Sequence, residues 1–170
     1  MGSGKSRVGR LLAARLGWEF IDLDDEVERR TGLRIDQIFL QQGEAAFRRL
    51  ELSALRNLPT GNELVIALGG GTPTQEAVWE ILRSGFVIYL RCTAQELFRR
   101  LQDDEQRPLL QATSKERRLL HIQELLRARE SHYNKANMII DSLAENSPTD
   151  TAEIICRELY LLRIVEGLEE

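Results

Sequence analysis

Gly2-Ser3-Gly4-Lys5-Ser6, followed at once by a stretch of helical period, is the feature that most narrows what this chain can fold into. It reads as the second half of the pattern G-x-x-x-x-G-K-[ST], in which small residues let backbone N–H groups surround phosphate oxygens. The helix that follows turns its positive end toward the same anion. In that pattern Gly2, Ser3 and Gly4 form the cradle, Lys5 reaches the β and γ phosphates, and Ser6 offers its hydroxyl to Mg²⁺. A Gly/Ser-rich terminus of other origin, a cloning remnant included, imitates the same letters, so the residues downstream must carry the reading. The leading glycine and the strand that delivers a chain into such a loop would both precede Met1, and Met1 therefore reads as an internal loop residue rather than a start. A sheet built from the remaining strands would lack its first, central one and leave unpaired backbone on its neighbours.

Downstream, short apolar runs alternate with longer segments of helical period, the pattern of βα units around a parallel sheet. Strands are expected at Glu19–Ile21, Leu64–Leu68, Phe86–Leu90 and Met138–Ile140. Helices are expected over Ser6–Leu16, Asp25–Arg30, Ile35–Gln42, Glu44–Leu58, Gln75–Ser84, Ala94–Asp103, Lys115–His132 and Thr149–Val165, with Gly17, Gly32, Gly43, Gly61 and Gly85 closing several of them. The fold class is α/β, and the carboxyl ends of the strands are where such a sheet places ligands. One domain over 1–165 is expected, with a lid about 103–116, polar and interrupted by Pro108, and an acidic tail over 166–170.

A net charge of −4 gives no basic footprint for a nucleic acid. No run of 18 apolar residues and no leader pattern is present, so no membrane partner is expected and the location reads as cytoplasmic. Cys92 and Cys156 are far apart and read as reduced structural thiols. A monomer acting on small molecules is expected.

Further chemistry clusters at strand ends. Asp22 and Asp24 follow an apolar strand one residue apart, and share a side if the extended conformation continues. They suit a metal shell and a hydroxyl-orienting base, although Asp24 could equally cap the next helix. Arg48 and Glu51 are three apart on a helix, either a solvated ion pair or a positioned guanidinium. Gly69-Gly70-Gly71 ends a strand with more glycine than a turn needs, which lets a ligand approach the backbone or simply makes a flexible connector. Arg107 lies in the expected lid, where closure would carry it to a transferring phosphoryl group, and Arg129 could fork a substrate carboxylate; each separately also reads as a surface charge.

Together MGSGKS, FIDLD, GEAAFRRLE, LGGG, RPLL and RARESHY, in that order from Met1 to about Pro148, resemble the shikimate kinases, a branch of the nucleoside-monophosphate-kinase-like P-loop proteins. The resemblance implies a three-layer α/β/α P-loop kinase fold and transfer of the ATP γ-phosphate to the 3-hydroxyl of shikimate. It implies ATP and Mg²⁺ as cofactors, with Gly2, Ser3, Gly4, Lys5 and Ser6 on the phosphates and Ser6 and Asp22 at the metal. Asp24 would bind the acceptor hydroxyl as base or orienter. Arg48, Arg129 and the backbone of Gly70 and Gly71 would hold shikimate, with Glu51 positioning Arg48. Arg107 would stabilise phosphoryl charge, while Arg100 and the segment through Asp141 and Pro148 would flank adenine.

Glu130-Ser131-His132 departs from the family's more usual apolar and proline-containing sequence beside Arg129. His132 and His121 read as surface imidazoles. Another small-molecule kinase of the branch, such as a gluconate kinase, and a non-catalytic relative are the rival readings. The joint presence of Lys5, Asp24, Arg48 and Arg129 speaks against the second, since nothing structural demands all four.

Overall fold

The computed structural model describes residues 2–59, 63–101, 114–143 and 145–165. Its elements run α1 (Lys5–Leu16), β1 (Glu19–Asp22), α2 (Leu23–Thr31), α3 (Ile35–Arg56), β2 (Leu64–Ala67), a 3₁₀ turn (Thr72–Thr74), α4 (Glu76–Leu82), β3 (Ile88–Arg91), α5 (Ala94–Arg100), α6 (Lys115–Tyr133), β4 (Met138–Asp141) and α7 (Pro148–Leu161). The expected strands and helices are all present, with ends shifted by a few residues. The break expected at Gly43 is real: its φ of 78° and ψ of 173° interrupt α3, a backbone state that costs glycine little.

Strands β1 and β2 pair in parallel, with Ile21 opposite Ile66, and β3 pairs in parallel with β4, with Leu90 opposite Ile140. Among the described residues these are two separate two-stranded sheets. Side-chain alternation sends neighbouring residues of β2 to opposite faces. Ile66 joins a core with Leu23, Val27, Phe47 and Val78, from α2, α3 and α4. Val65 joins another with Val8, Leu12, Ala152 and Ile155, from α1 and α7. Helices thus cover both faces, the three-layer α/β arrangement expected. A third cluster, around Leu97 and Ile122, joins α5 to α6.

Helix α6 opens at Lys115, as expected, with Ser114 accepting a hydrogen bond from the Arg117 amide as its cap. Residues 103–113 of the expected lid, Arg107 included, lie outside the described residues, as do Gly61 and the tail 166–170. Cys92 and Cys156 are free and buried, and burial pushes both thiols up, which suits inert structural roles. Among the described residues no helix is long and apolar enough to cross a membrane.

Candidate active site

The phosphate loop curls through two left-handed glycines, Gly2 at φ 72° and Gly4 at φ 85°. Gly4 is the N-cap of α1, so the loop delivers its amides to the positive end of that helix. Three ties hold it. Ser6 Oγ donates to Asp22 Oδ2 at 2.5 Å, fastening the loop to the carboxyl end of β1. The Ser3 carbonyl accepts from Arg100 Nη1 at 3.2 Å and from Ser142 Oγ at 3.4 Å, fastening it to α5 and to the turn after β4. Arg100 also bonds Ser142 Oγ, the Leu143 carbonyl and Glu96, so its guanidinium clamps the strip that leads to Ser147 and Pro148 at the head of α7. Lys5 lines the adjoining cavity and makes no ion pair among the described residues.

Asp22 and Asp24 do not continue as an extended pair, which corrects the expected geometry. Asp22 has extended dihedrals and is the N-cap of α2, accepting from the Asp24 amide at 3.0 Å, while Asp24 already belongs to the helix. An aspartate at a strand end serves the orphan N–H groups of a starting helix better than another extended residue would. Asp22, and not Asp24, is therefore the cap. Asp24 turns instead toward the glycine turn: a Cβ added to Gly69 would meet Asp24 Oδ1 at 3.0 Å and Glu51 Oε1 at 2.7 Å.

The Arg48–Glu51 pair is not a solvated one. Glu51 is 0% exposed and accepts from Arg48 Nη1 and from Thr72 Oγ1, each at 2.5 Å. Glu44 Oε1 accepts from the Nη2 and Nε of the same guanidinium. Burial pushes the Glu51 carboxyl upward, Thr72 and Arg48 oppose that shift, and the Asp24 charge adds to it. Burial acts to lower Arg48, but Glu51 and Glu44 outweigh it and the guanidinium is held above its ordinary range. A buried pair with both partners hydrogen-bonded is a fixed geometry rather than a source of stability. Gly71 is where this matters, because any Cβ there would run into the guanidinium.

Tyr133 Oη donates to the Gly70 carbonyl at 2.5 Å, which sets α6 against the glycine turn. Arg129 lies one turn earlier on the same face of α6, half-buried, with no hydrogen bond or ion pair among the described residues. His132 and His121 are not the plain surface imidazoles expected, since each is half-buried with one ring nitrogen enclosed and unpartnered among the described residues. The structure therefore brings Asp24, Glu51, Arg48, Gly69–Gly71 and the Arg129 face to one side of the phosphate loop. Thr72, Glu44 and Ser142 join the site without a sequence signal, because their partners are set by the fold.

The chain matches the shikimate kinase family over residues 1–160. It is 43% identical over 145 residues to the shikimate kinase of Chlorobaculum parvum, covering 82% of this chain and 78% of that protein. With the shikimate kinase of Methylococcus capsulatus it shares 42% over 157 residues, covering 91% and 86%. The fold is similar to that of the Acinetobacter baumannii shikimate kinase in complex with shikimate, with a TM-score of 0.85, 38% identity, and coverage of 99% of this chain and 91% of that one. On these likenesses the chain belongs to the shikimate kinase family.

Proposed function

We propose that the chain transfers the γ-phosphate of ATP to the 3-hydroxyl of shikimate, giving shikimate 3-phosphate and ADP on the route to aromatic amino acids. The observation that carries this is the Arg48 guanidinium, pinned by Glu51 and Glu44 against Gly71 beside the phosphate loop. A guanidinium held from behind by two carboxylates recognises a planar anion at little ordering cost, and Arg129 on the facing helix supplies a second cation for the shikimate carboxylate. The Gly70 and Gly71 backbone, bare of side chains, receives the ring hydroxyls.

Phosphoryl transfer asks for positioning and charge neutralisation more than covalent chemistry. Gly2, Ser3, Gly4 and Lys5 hold the phosphates. Asp24, between the two half-sites, orients the acceptor hydroxyl and takes its proton. Arg100 and Pro148 border the adenine, and Arg107 meets the phosphoryl charge. Ser6 and Asp22 fit Mg²⁺: two hard oxygens lie side by side, and this ion takes only one or two protein donors besides water and phosphate. Held there, it would supply neutralisation of the phosphate charge.

A coupled ADP-release assay tests the reading. Shikimate-dependent ADP formation with no turnover of gluconate is expected. Turnover of gluconate in preference to shikimate would overturn it.

A further inference from the structure

The glycine run after β2 forms a β-turn: the Thr72 amide donates to the Gly69 carbonyl at 3.1 Å, which makes Gly70 and Gly71 its central residues. Gly71 stands at φ −96° and ψ −15°, the conformation of the third residue of a type I turn. Glycine at that position serves a type II turn as readily, because a φ near +80° costs it little. The two types differ by the half-rotation of one peptide, the plane that carries the Gly70 carbonyl and the Gly71 N–H. That peptide is trans, so the two groups point in opposite directions. Three glycines in a row thus leave one peptide able to face either way, and something outside the turn must choose.

The neighbouring carbonyls are settled locally. Gly69 is bonded as above, and the Gly71 carbonyl accepts from the Thr74 amide at 3.1 Å and from Thr74 Oγ1 at 2.7 Å. The Gly70 carbonyl is taken instead by a residue 63 positions away, Tyr133, whose Oη donates to it at 2.5 Å. Tyr133 is itself held in place. Its ring lies against that of Tyr89 of β3, with centroids 4.8 Å apart. Two residues on, Lys135 bonds Glu76 of α4 at 2.9 Å and lies over the Trp79 ring. The end of α6 is thereby fixed against β3 and α4, and the hydroxyl with it.

We infer that Tyr133 is a positioning residue for the acceptor: its hydroxyl locks the Gly70–Gly71 peptide in the type I state and so aims the Gly71 N–H, as a donor, away from itself. Gly71 adjoins the Arg48 guanidinium, which a Cβ there would meet. Its N–H makes no hydrogen bond among the described residues, which leaves it for a ligand oxygen. Flipped, the same peptide would present a carbonyl oxygen in place of the N–H, removing one donor from the site and repelling a carboxylate. The tyrosine thus decides between donor and acceptor without touching the substrate. The inference rests on the proposed reaction for the identity of that substrate, and on the turn alone for the lock.

Tyr133→Phe tests it, since the ring stays on Tyr89 and only the hydroxyl is lost. KM for shikimate is expected to rise about 2- to 12-fold, the weight of one neutral hydrogen bond, with kcat, KM for ATP and Tm little changed. Nitrogen-15 relaxation dispersion is expected to show microsecond-to-millisecond exchange, or a displaced resonance, at the Gly71 amide of the variant and not of the parent chain. An unmoved Gly71 amide overturns the lock, and an unchanged KM for shikimate overturns its part in binding the acceptor. Equal losses for both substrates with a lowered Tm reduce Tyr133 to packing and overturn the inference too. If the parent chain turns over no shikimate, the proposed reaction fails, and the Gly71 amide still decides the lock: exchange in the variant supports it, and none overturns it.

Discussion

The acceptor side and the phosphate side of the site are built in opposite ways. On the acceptor side, side chains fix side chains: Arg48, Glu44, Glu51 and Thr72 interlock, and Gly71 leaves the guanidinium no room to be displaced by a methyl group. On the phosphate side, a short backbone loop hangs on Asp22, Arg100 and Ser142. One half carries its geometry in its own packing. The other borrows its geometry from distant elements.

The largest effect expected is at the junction of the halves. Asp24→Asn should cut kcat by about 100- to 10,000-fold, the usual weight of a positioned proton acceptor, while leaving ATP binding near its original strength. Steady-state kinetics with nucleotide binding checks this, and unchanged kcat would remove Asp24 from the chemistry. Next comes Glu51→Ala, which leaves a half-buried guanidinium without its buried partner and Thr72 without its acceptor, and should cost about 3–5 kcal/mol of stability. That corresponds to roughly 6–20 °C in Tm for a chain of this size. Calorimetry showing a loss below ~1 kcal/mol would mean that the acceptor side is softer than its contacts suggest.

Arginines of the two halves should then separate by substrate. Arg129→Ala is expected to raise KM for shikimate by about 10- to 150-fold, for a charge-assisted contact of about 1.5–3 kcal/mol. Arg100→Ala should raise KM for ATP severalfold and leave shikimate alone. A shared effect on both substrates would dissolve the distinction between the halves.

The smallest effect is in acid. Arg29, with Arg30, holds Glu26 at about 2, and Arg99, with Arg100, holds Glu96 at about 2, from an ordinary 4.5. A depressed folded value contributes stability above the unfolded one and loses it as pH falls from 4.5 toward 2. Glu51 has the opposite sign, its raised value favouring the fold at acid pH and less so as pH climbs through it. Urea midpoints should accordingly fall less steeply below pH 4.5 in an E26Q/E96Q variant than in the parent chain.

Much of this was legible before any coordinates. Hydrophobic runs located β1 to β4, and Gly43 marked the break in α3 because only a residue without a side chain tolerates that backbone cheaply. Arg48 and Glu51 share a helix face by spacing alone, but whether the pair is solvated or buried depends on Thr72, 21 positions beyond Glu51. Asp22 and Asp24 were misjudged in geometry because capping ended the strand sooner than alternation implied. The Arg100 clamp was beyond reach for a simpler reason: its partners Ser3 and Ser142 stand 97 and 42 positions away, and no local pattern records them.

The packing of α1 also carries a consequence in time. Val8 and Leu12 bury themselves against Ala152, Ile155 and Leu159 of α7. Contacts so far apart along the chain close late, since loop entropy must be overcome first. At about 5–20 residues per second of synthesis, α1 would wait roughly 7–30 seconds on the ribosome for α7 to emerge, with only β1 and β2 to pack on before then. Throughout that interval its apolar stripe is a natural target for a chaperone, and the nucleotide loop at its head is among the last parts of the molecule to become rigid.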